Sequence, residues 1–89
     1  MARSRSRPLR TRPARPVVLV TGAASGTGRA ISFQLLDSGW CVTALDLPKT
    51  RLTQHYRSWA RSAATIEGDA SDEKTVRDAV RLTLERFGR

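Results

Sequence analysis

The stretch VVLVTGAASGTGRA, residues 17–30, decides how the chain is read. Val17, Val18, Leu19 and Val20 form an unbroken aliphatic, mostly β-branched run, which predicts a strand buried on both faces, as in a parallel sheet. The run passes directly into Gly22, Gly26 and Gly28. A loop between such a strand and a helix N-terminus leaves backbone N–H groups without intrahelical partners at the positive end of the helix dipole. That environment suits a pyrophosphate. Glycines let the turn adopt positive φ and let phosphate oxygens approach the backbone with no Cβ in the way. The spacing narrows the ligand. A triphosphate-binding Walker loop requires Gly-Lys-Ser/Thr at its end, whereas Gly28 is followed by Arg29 and Ala30. The G-x-G-x-x-G dinucleotide fingerprint is not present either; the pattern is Thr21-Gly22-x-x-x-Gly26-x-Gly28.

Downstream of the loop the pattern alternates helix and strand. Residues 29–38 predict a helix with Ile31, Leu35 and Ser38 on one stripe, Phe33 and Leu36 beside it, and a stop at Gly39. Residues 41–45 are a second β-prone run that halts at Asp46 and Pro48. Residues 50–61 read as a weaker, more polar helix with Leu52, Tyr56 and Trp59 as its apolar contacts. Residues 63–69 form a third strand. The last segment is the most regular helix. Ser71 is its expected N-cap, Asp72 and Glu73 lie in the first turn and Arg86 near the end, and Val76, Ala79, Val80, Thr83, Leu84 and Phe87 make its apolar face. The order β-α-β-α-β-α implies an α/β fold with a parallel sheet and right-handed crossovers.

The formal net charge of +8 is concentrated at one end. Residues 1–16 carry six arginines and no acid, while ten cations against eight acids leave the remainder at +2. With Pro8, Pro13 and Pro16 and few apolar side chains, residues 1–16 are expected to form a disordered basic tail. Three readings stand for it: an incidental extension, an Arg- and Ser-rich transit peptide, or an arm making weak, non-specific contacts with nucleic acid or another anionic surface. No apolar run reaches the roughly 20 residues of a membrane span. The single cysteine, Cys41, precludes an internal disulfide and suits a reducing compartment. The expected setting is cytoplasmic, with mitochondrial targeting as the second reading.

The loop TGAASGTG resembles the cofactor loop of short-chain dehydrogenases/reductases, whose pattern is T-G-x-x-x-G-x-G after the first strand. The resemblance continues through residues 17–89. Asp46, at the end of the second strand, matches the acid that holds the adenosine ribose hydroxyls in Rossmann proteins. Asp69 matches the family's acid after the third strand, associated with the adenine ring, with Ala70 as a neighbouring backbone contact. Thr27 departs from the family's usual aliphatic residue, which implies a mild change in loop packing. The resemblance therefore implies a doubly wound Rossmann sheet, of which residues 17–89 supply the first β-α-β-α-β-α half. It also implies a cofactor site made of Thr21, Gly22, Ser25, Gly26, Thr27, Gly28, Asp46, Asp69 and Ala70. Read without the family, Asp46 is an ordinary strand-end acid, Asp69 a cap for the next helix and Arg29 a solvated side chain.

A carboxylate at Asp46 accepts hydrogen bonds from ribose hydroxyls and repels a 2′-phosphate. Ser25 stands where NADP-using members of the family often have Lys or Arg. Both features favour NAD, and nearby Lys49 and Arg51 make NADP the minority reading. The family's chemistry lies on an Asn-Asn-Ala-Gly segment, then a serine, then a Tyr-x-x-x-Lys pair; neither the Asn-Asn-Ala-Gly segment nor the Tyr-x-x-x-Lys pair occurs in residues 1–89, and Tyr56 is followed four residues later by Ala60. No catalytic residue is assigned, His55 reads as a lone surface histidine, and Cys41 reads as core. Two functions remain open. One is the N-terminal part of an oxidoreductase acting on an alcohol or carbonyl substrate. The other is a non-catalytic nucleotide-binding or basic-tail module derived from the same family. With the expected strand order, the strand at residues 17–20 is an edge, so self-association through it is also expected.

Overall fold

Parallel pairing of β1 (Val17–Thr21) with β2 (Cys41–Asp46), and of β2 with β3 (Ala63–Glu67), builds a three-stranded sheet in the order β1-β2-β3. The computed structural model describes residues 15–88, so the character and role proposed for residues 1–14 lie outside the described residues. Three helices complete the alternating pattern: α1 (Gly26–Asp37), α2 (Leu52–His55) and α3 (Glu73–Phe87). This is the Rossmann-like α/β arrangement that the sequence implies.

The strand alternation sorts the two faces. Val18 and Val20 from β1 and Val42 and Ala44 from β2 pack with Leu36 of α1 and with Leu52 and Tyr56 of the α2 segment. On the opposite face Thr43 meets Thr83 of α3. The strand buried on both faces is β2, with Cys41 through Leu45 all buried; Val17 through Val20 of β1 are only half-buried. The apolar run correctly marks a strand of this sheet, but its burial requires neighbours on two sides, and β1 has one among the described residues.

Four local readings are corrected. The first concerns α1, which buries Ser32 and Leu36, while Ile31 is 48% exposed. Gly28 packs against the Gly22 carbonyl, and that contact sets the rotation of the helix. The inward ridge is then the i, i+4 row 28, 32 and 36 rather than the row through Ile31. The second concerns residues 50–61, which form a single α-turn followed by a 3-10 turn, Arg57–Trp59. Leu52 and Tyr56 are nevertheless buried and Trp59 partly so, as the apolar pattern predicts. The third is the cap of α3, which is Asp72, whose side chain accepts the Lys74 N–H; Ser71 is drawn to Asp69 instead. The fourth is the apolar face of α3, which buries Ala79 and Thr83, whereas Val76, Val80 and Leu84, also expected on that face, are 37%, 46% and 52% exposed.

The first described residues are held against the sheet. The Pro16 carbonyl accepts the Cys41 N–H at 2.8 Å. The Arg15 guanidinium donates to the Gly39 carbonyl at 2.9 Å and to Ser62 Oγ at 2.7 Å, linking the segments that enter β2 and β3. No helix among the described residues is long and apolar enough to cross a membrane.

A buried hydroxyl pair joins α3 to the central strand. Thr83 Oγ1 donates to the Ala79 carbonyl at 2.7 Å, which leaves Thr43 as the donor in the 2.6 Å contact between the two threonines. Removing one partner strands a buried polar group, whereas removing both leaves an apolar contact of similar shape. Thr83→Val is therefore expected to lower stability by about 1–3 kcal/mol, and adding Thr43→Val should restore part of that loss. Urea unfolding of the two single variants and the double variant measures this; strictly additive losses would show that the hydroxyls are not coupled.

Candidate functional site

The register of the sheet brings the three strand ends to one edge. Thr21 lies opposite Leu45, and Asp46 opposite Glu67, so the segments after β1, β2 and β3 emerge side by side. The Gly68 N–H donates to the Asp46 carbonyl at 2.8 Å, which ties the third segment to the second. Between them lies a cleft of about 150 Å³ lined by Gly22, Leu45, Asp46, Leu47, Gly68, Asp69 and Ala70. Gly22, Asp46, Asp69 and Ala70, which lie in three segments separated in sequence and which the family resemblance groups together, thus share one cavity. The remaining candidates flank it. Thr21 ends β1, Ser25 is the residue before α1, and Gly26, Thr27 and Gly28 are its first three positions.

The glycine loop has the geometry that its composition demands. Gly22 and Gly26 have φ values of +66° and +55°, where a side chain is strained. Gly28 serves a different purpose: a Cβ built there would lie 2.1 Å from the Gly22 carbonyl oxygen. The helix can approach the loop this closely only with glycine at that position. Ser25 has extended backbone angles and makes no side-chain cap bond. Its carbonyl accepts the Arg29 N–H at 3.3 Å, and because its hydroxyl makes no cap bond the first N–H groups of α1 are left to other acceptors. Ser25, Gly26 and Thr27 are exposed.

Asp46 is fixed by backbone on two sides. Its Oδ2 accepts the Ala24 N–H at 2.8 Å and its Oδ1 accepts the Leu47 N–H at 2.7 Å. The Ala23 N–H donates to the Leu45 carbonyl at 3.1 Å, so the glycine loop is stitched to the end of β2 both through backbone and through this carboxylate. Each carboxylate oxygen retains acceptor capacity for a ligand hydroxyl. Asp69 does not cap α3. Its Oδ1 accepts the Ser71 N–H at 2.9 Å and the Ser71 hydroxyl at 2.8 Å, forming a local turn that presents Ala70 to the cleft.

Two interactions had no signal in the sequence. The Arg29 guanidinium, expected to be solvated, has Nη1 3.2 Å from Nδ1 of His55, so neither side chain stands alone. Tyr56 Oη donates to the Ala23 carbonyl at 2.6 Å from a buried position, and burial raises its pKa above the usual phenol value. Composition singles Tyr56 out as the only tyrosine in the chain, but nothing in the linear order connects it to a loop 33 residues earlier. No cluster of three or more metal-ligating side chains occurs among the described residues.

The Ser71 N–H, and after it the Ser71 hydroxyl, hold the Asp69 carboxyl below its ordinary pKa. Because the folded value is depressed, the contribution of this turn to stability is present above the unfolded carboxylate pKa of about 3.9 and is lost as pH falls through the lower folded value. Ser71→Ala removes the hydroxyl and keeps the N–H, so the Asp69 midpoint in a carboxyl NMR titration should rise only part of the way. An unchanged midpoint would eliminate the hydroxyl as a cause.

Comparison with known proteins agrees with this geometry. The family model for short chain dehydrogenase matches residues 16–89. Among curated proteins, 2-(R)-hydroxypropyl-CoM dehydrogenase of Xanthobacter autotrophicus is 38% identical over 76 residues, covering 81% of this chain and 30% of that protein. The type-2 3-hydroxyacyl-CoA dehydrogenase of Bos taurus is 37% identical, with coverage of 82% and 28%. Among solved structures, a 3-ketoacyl-(acyl-carrier-protein) reductase from Brucella melitensis complexed with NADH superposes with a TM-score of 0.77 at 30% identity, covering 83% of this chain and 31% of that one. The chain thus spans about 30% of the length of these relatives. The family match and the parallel sheet carrying its glycine loop together make this chain a member of the short-chain dehydrogenase family.

Proposed function

We propose that residues 17–89 bind the adenosine and pyrophosphate portions of a nicotinamide dinucleotide, with NAD preferred over NADP. The observation that carries this reading is the shared cleft at the strand ends, where Gly22, Asp46, Asp69 and Ala70 meet beside the open first turn of α1. The residues present fit the group. Glycines at 22 and 26 support the positive-φ turn, glycine at 28 keeps the helix start close, and the N–H groups of that turn suit phosphate oxygens. Asp46, already oriented by Ala24 and Leu47, would accept the ribose 2′- and 3′-hydroxyls and repel a 2′-phosphate. The turn at Asp69 and Ala70 would border the adenine. Thr21, Ser25 and Thr27 would line the approach to the phosphates.

When bound, the dinucleotide supplies hydride transfer, and in the whole protein that activity would act on an alcohol or carbonyl substrate. Residues 17–89 bind and orient; no proton-transfer group is assigned among them. NADH complexed with a Brucella melitensis relative, and NAD complexed with a Burkholderia phymatum one at 26% identity, support the choice of ligand class. Fluorescence titration of the 89-residue chain should show NADH binding more tightly than NADPH. Asp46→Ala should narrow that difference by roughly tenfold, as expected for loss of charge-assisted hydrogen bonds together with phosphate repulsion. Tighter binding of NADPH by the unsubstituted chain would overturn the assignment of Asp46.

The edge of β1 that has no strand partner among the described residues supports a second element of the proposal, self-association of the 89-residue chain. A groove of about 260 Å³ runs between β1 and α3, lined by Val17, Val18, Leu19, Val80, Thr83 and Leu84. Strand N–H and C=O groups without a strand partner among the described residues, beside apolar side chains, form a template for a second copy. Sedimentation should therefore show a dimer or larger species, with residues 17–20 gaining amide protection as it assembles. A monodisperse monomer with strong protection across residues 17–20 would exclude this mode.

A further inference from the structure

One peptide group of the glycine loop is held at both ends by side chains. The carbonyl of Ala23 accepts the Tyr56 Oη–H at 2.6 Å, and the N–H of Ala24 donates to Asp46 Oδ2 at 2.8 Å. That carbonyl and that N–H belong to the same planar unit, so they cannot reorient separately. The two bonds also polarise the peptide in one direction, with a donor at its oxygen and an anion at its hydrogen, so each strengthens the other. A flip of this peptide would break both at once.

Tyr56 is itself well fixed. It is 2% exposed, follows directly on α2, and meets the Phe33 ring edge-on at a centroid distance of 5.2 Å. It does not line the cleft at the strand ends. Its route to that cleft runs through the Ala23–Ala24 peptide to Asp46, whose other oxygen is taken by Leu47 N–H. With both carboxylate oxygens engaged by backbone, the plane of the carboxylate is set, and the lone pairs left for a sugar are set with it.

We infer that Tyr56 is a positioning residue for cofactor selection, holding the Ala23–Ala24 peptide so that Asp46 presents its carboxylate in one fixed orientation; this rests on the dinucleotide reading of the site. The role is separate from core packing. Tyr56→Phe keeps the ring and its contact with Phe33 and deletes the hydroxyl, which donates to the Ala23 carbonyl and also faces the buried Ser32 hydroxyl.

The test uses the 89-residue chain and two readouts. Without any dinucleotide, amide hydrogen exchange of Ala24 is compared with that of Val42 and Ala44 in β2, which report on the core. Tyr56→Phe should speed Ala24 exchange about tenfold relative to those amides, the size expected for one lost hydrogen bond. Phe33→Leu, which disturbs the same packing and no hydrogen bond, should leave that ratio unchanged. In titrations with NADH and NADPH, Tyr56→Phe should bring the two affinities several-fold closer together. An unchanged Ala24 ratio, or an unchanged NADH/NADPH preference, overturns the inference. Failure of the unsubstituted chain to bind NADH overturns the dinucleotide reading and with it the selectivity role, while the Ala24 ratio still decides whether the peptide is clamped. Should Tyr56→Phe not fold, incorporation of 3-fluorotyrosine labels position 56 alone, because the chain has one tyrosine. Its more acidic phenol should slow Ala24 exchange, and exchange that does not slow counts against the clamp.

Discussion

Parallel pairing of β1 with β2 is the constraint on which the rest of this structure depends. With Val17 opposite Cys41 and Thr21 opposite Leu45, both strands finish at the same edge. The glycine loop leaving β1 is thereby placed beside Asp46 and Leu47 at the end of β2. Because side chains alternate along a strand, a slip of β1 by one residue against β2 would turn Val18 and Val20 away from the face where Val42 and Ala44 meet α1 and the α2 segment. It would also carry the Asp46 carboxylate away from Ala24. The burial that fixes the register thus fixes the site.

The site is built largely from backbone, and its side chains serve to orient that backbone. Asp46 accepts from two N–H groups, Asp69 accepts from one N–H and the hydroxyl of Ser71, and Tyr56 donates a hydrogen bond to a carbonyl. A polyphosphate ligand recognised by N–H groups needs those groups aimed in advance, since reorienting peptides on binding costs affinity. The two faces of the sheet contribute differently. The face packed against α1 and Tyr56 positions the loop, while the face packed against α3 is held by the Thr43–Thr83 pair and remains open beside β1 along Val80 and Leu84.

Much of the fold was legible because hydrophobic period and loop chemistry agree. A continuous apolar run marks β1, a β-prone run marks β2, and the glycines mark the turn into α1. Capping and charge mark α3, although its first turn is capped by Asp72 rather than Ser71. The two serviceable caps stand next to each other, and the choice fell to Asp72 because Asp69 had already engaged Ser71. The rotation of α1 was not legible. Ile31 is the more hydrophobic residue, yet Ser32 faces inward, because the contact between Gly28 and Gly22 outweighs the gain from burying one side chain.

The sequence by itself determined the alternation of elements, the glycine turn and the acids at the two strand ends, since each depends on local backbone preference or short-range spacing. Only the tertiary structure decided that Asp46 holds the Ala24 N–H, that Tyr56 holds the Ala23 carbonyl, and that Arg29 meets His55. Those contacts join residues 22 to 33 positions apart. Their existence depends on the parallel register and on where α2 sets Tyr56 down, and a pattern read along one chain carries neither quantity.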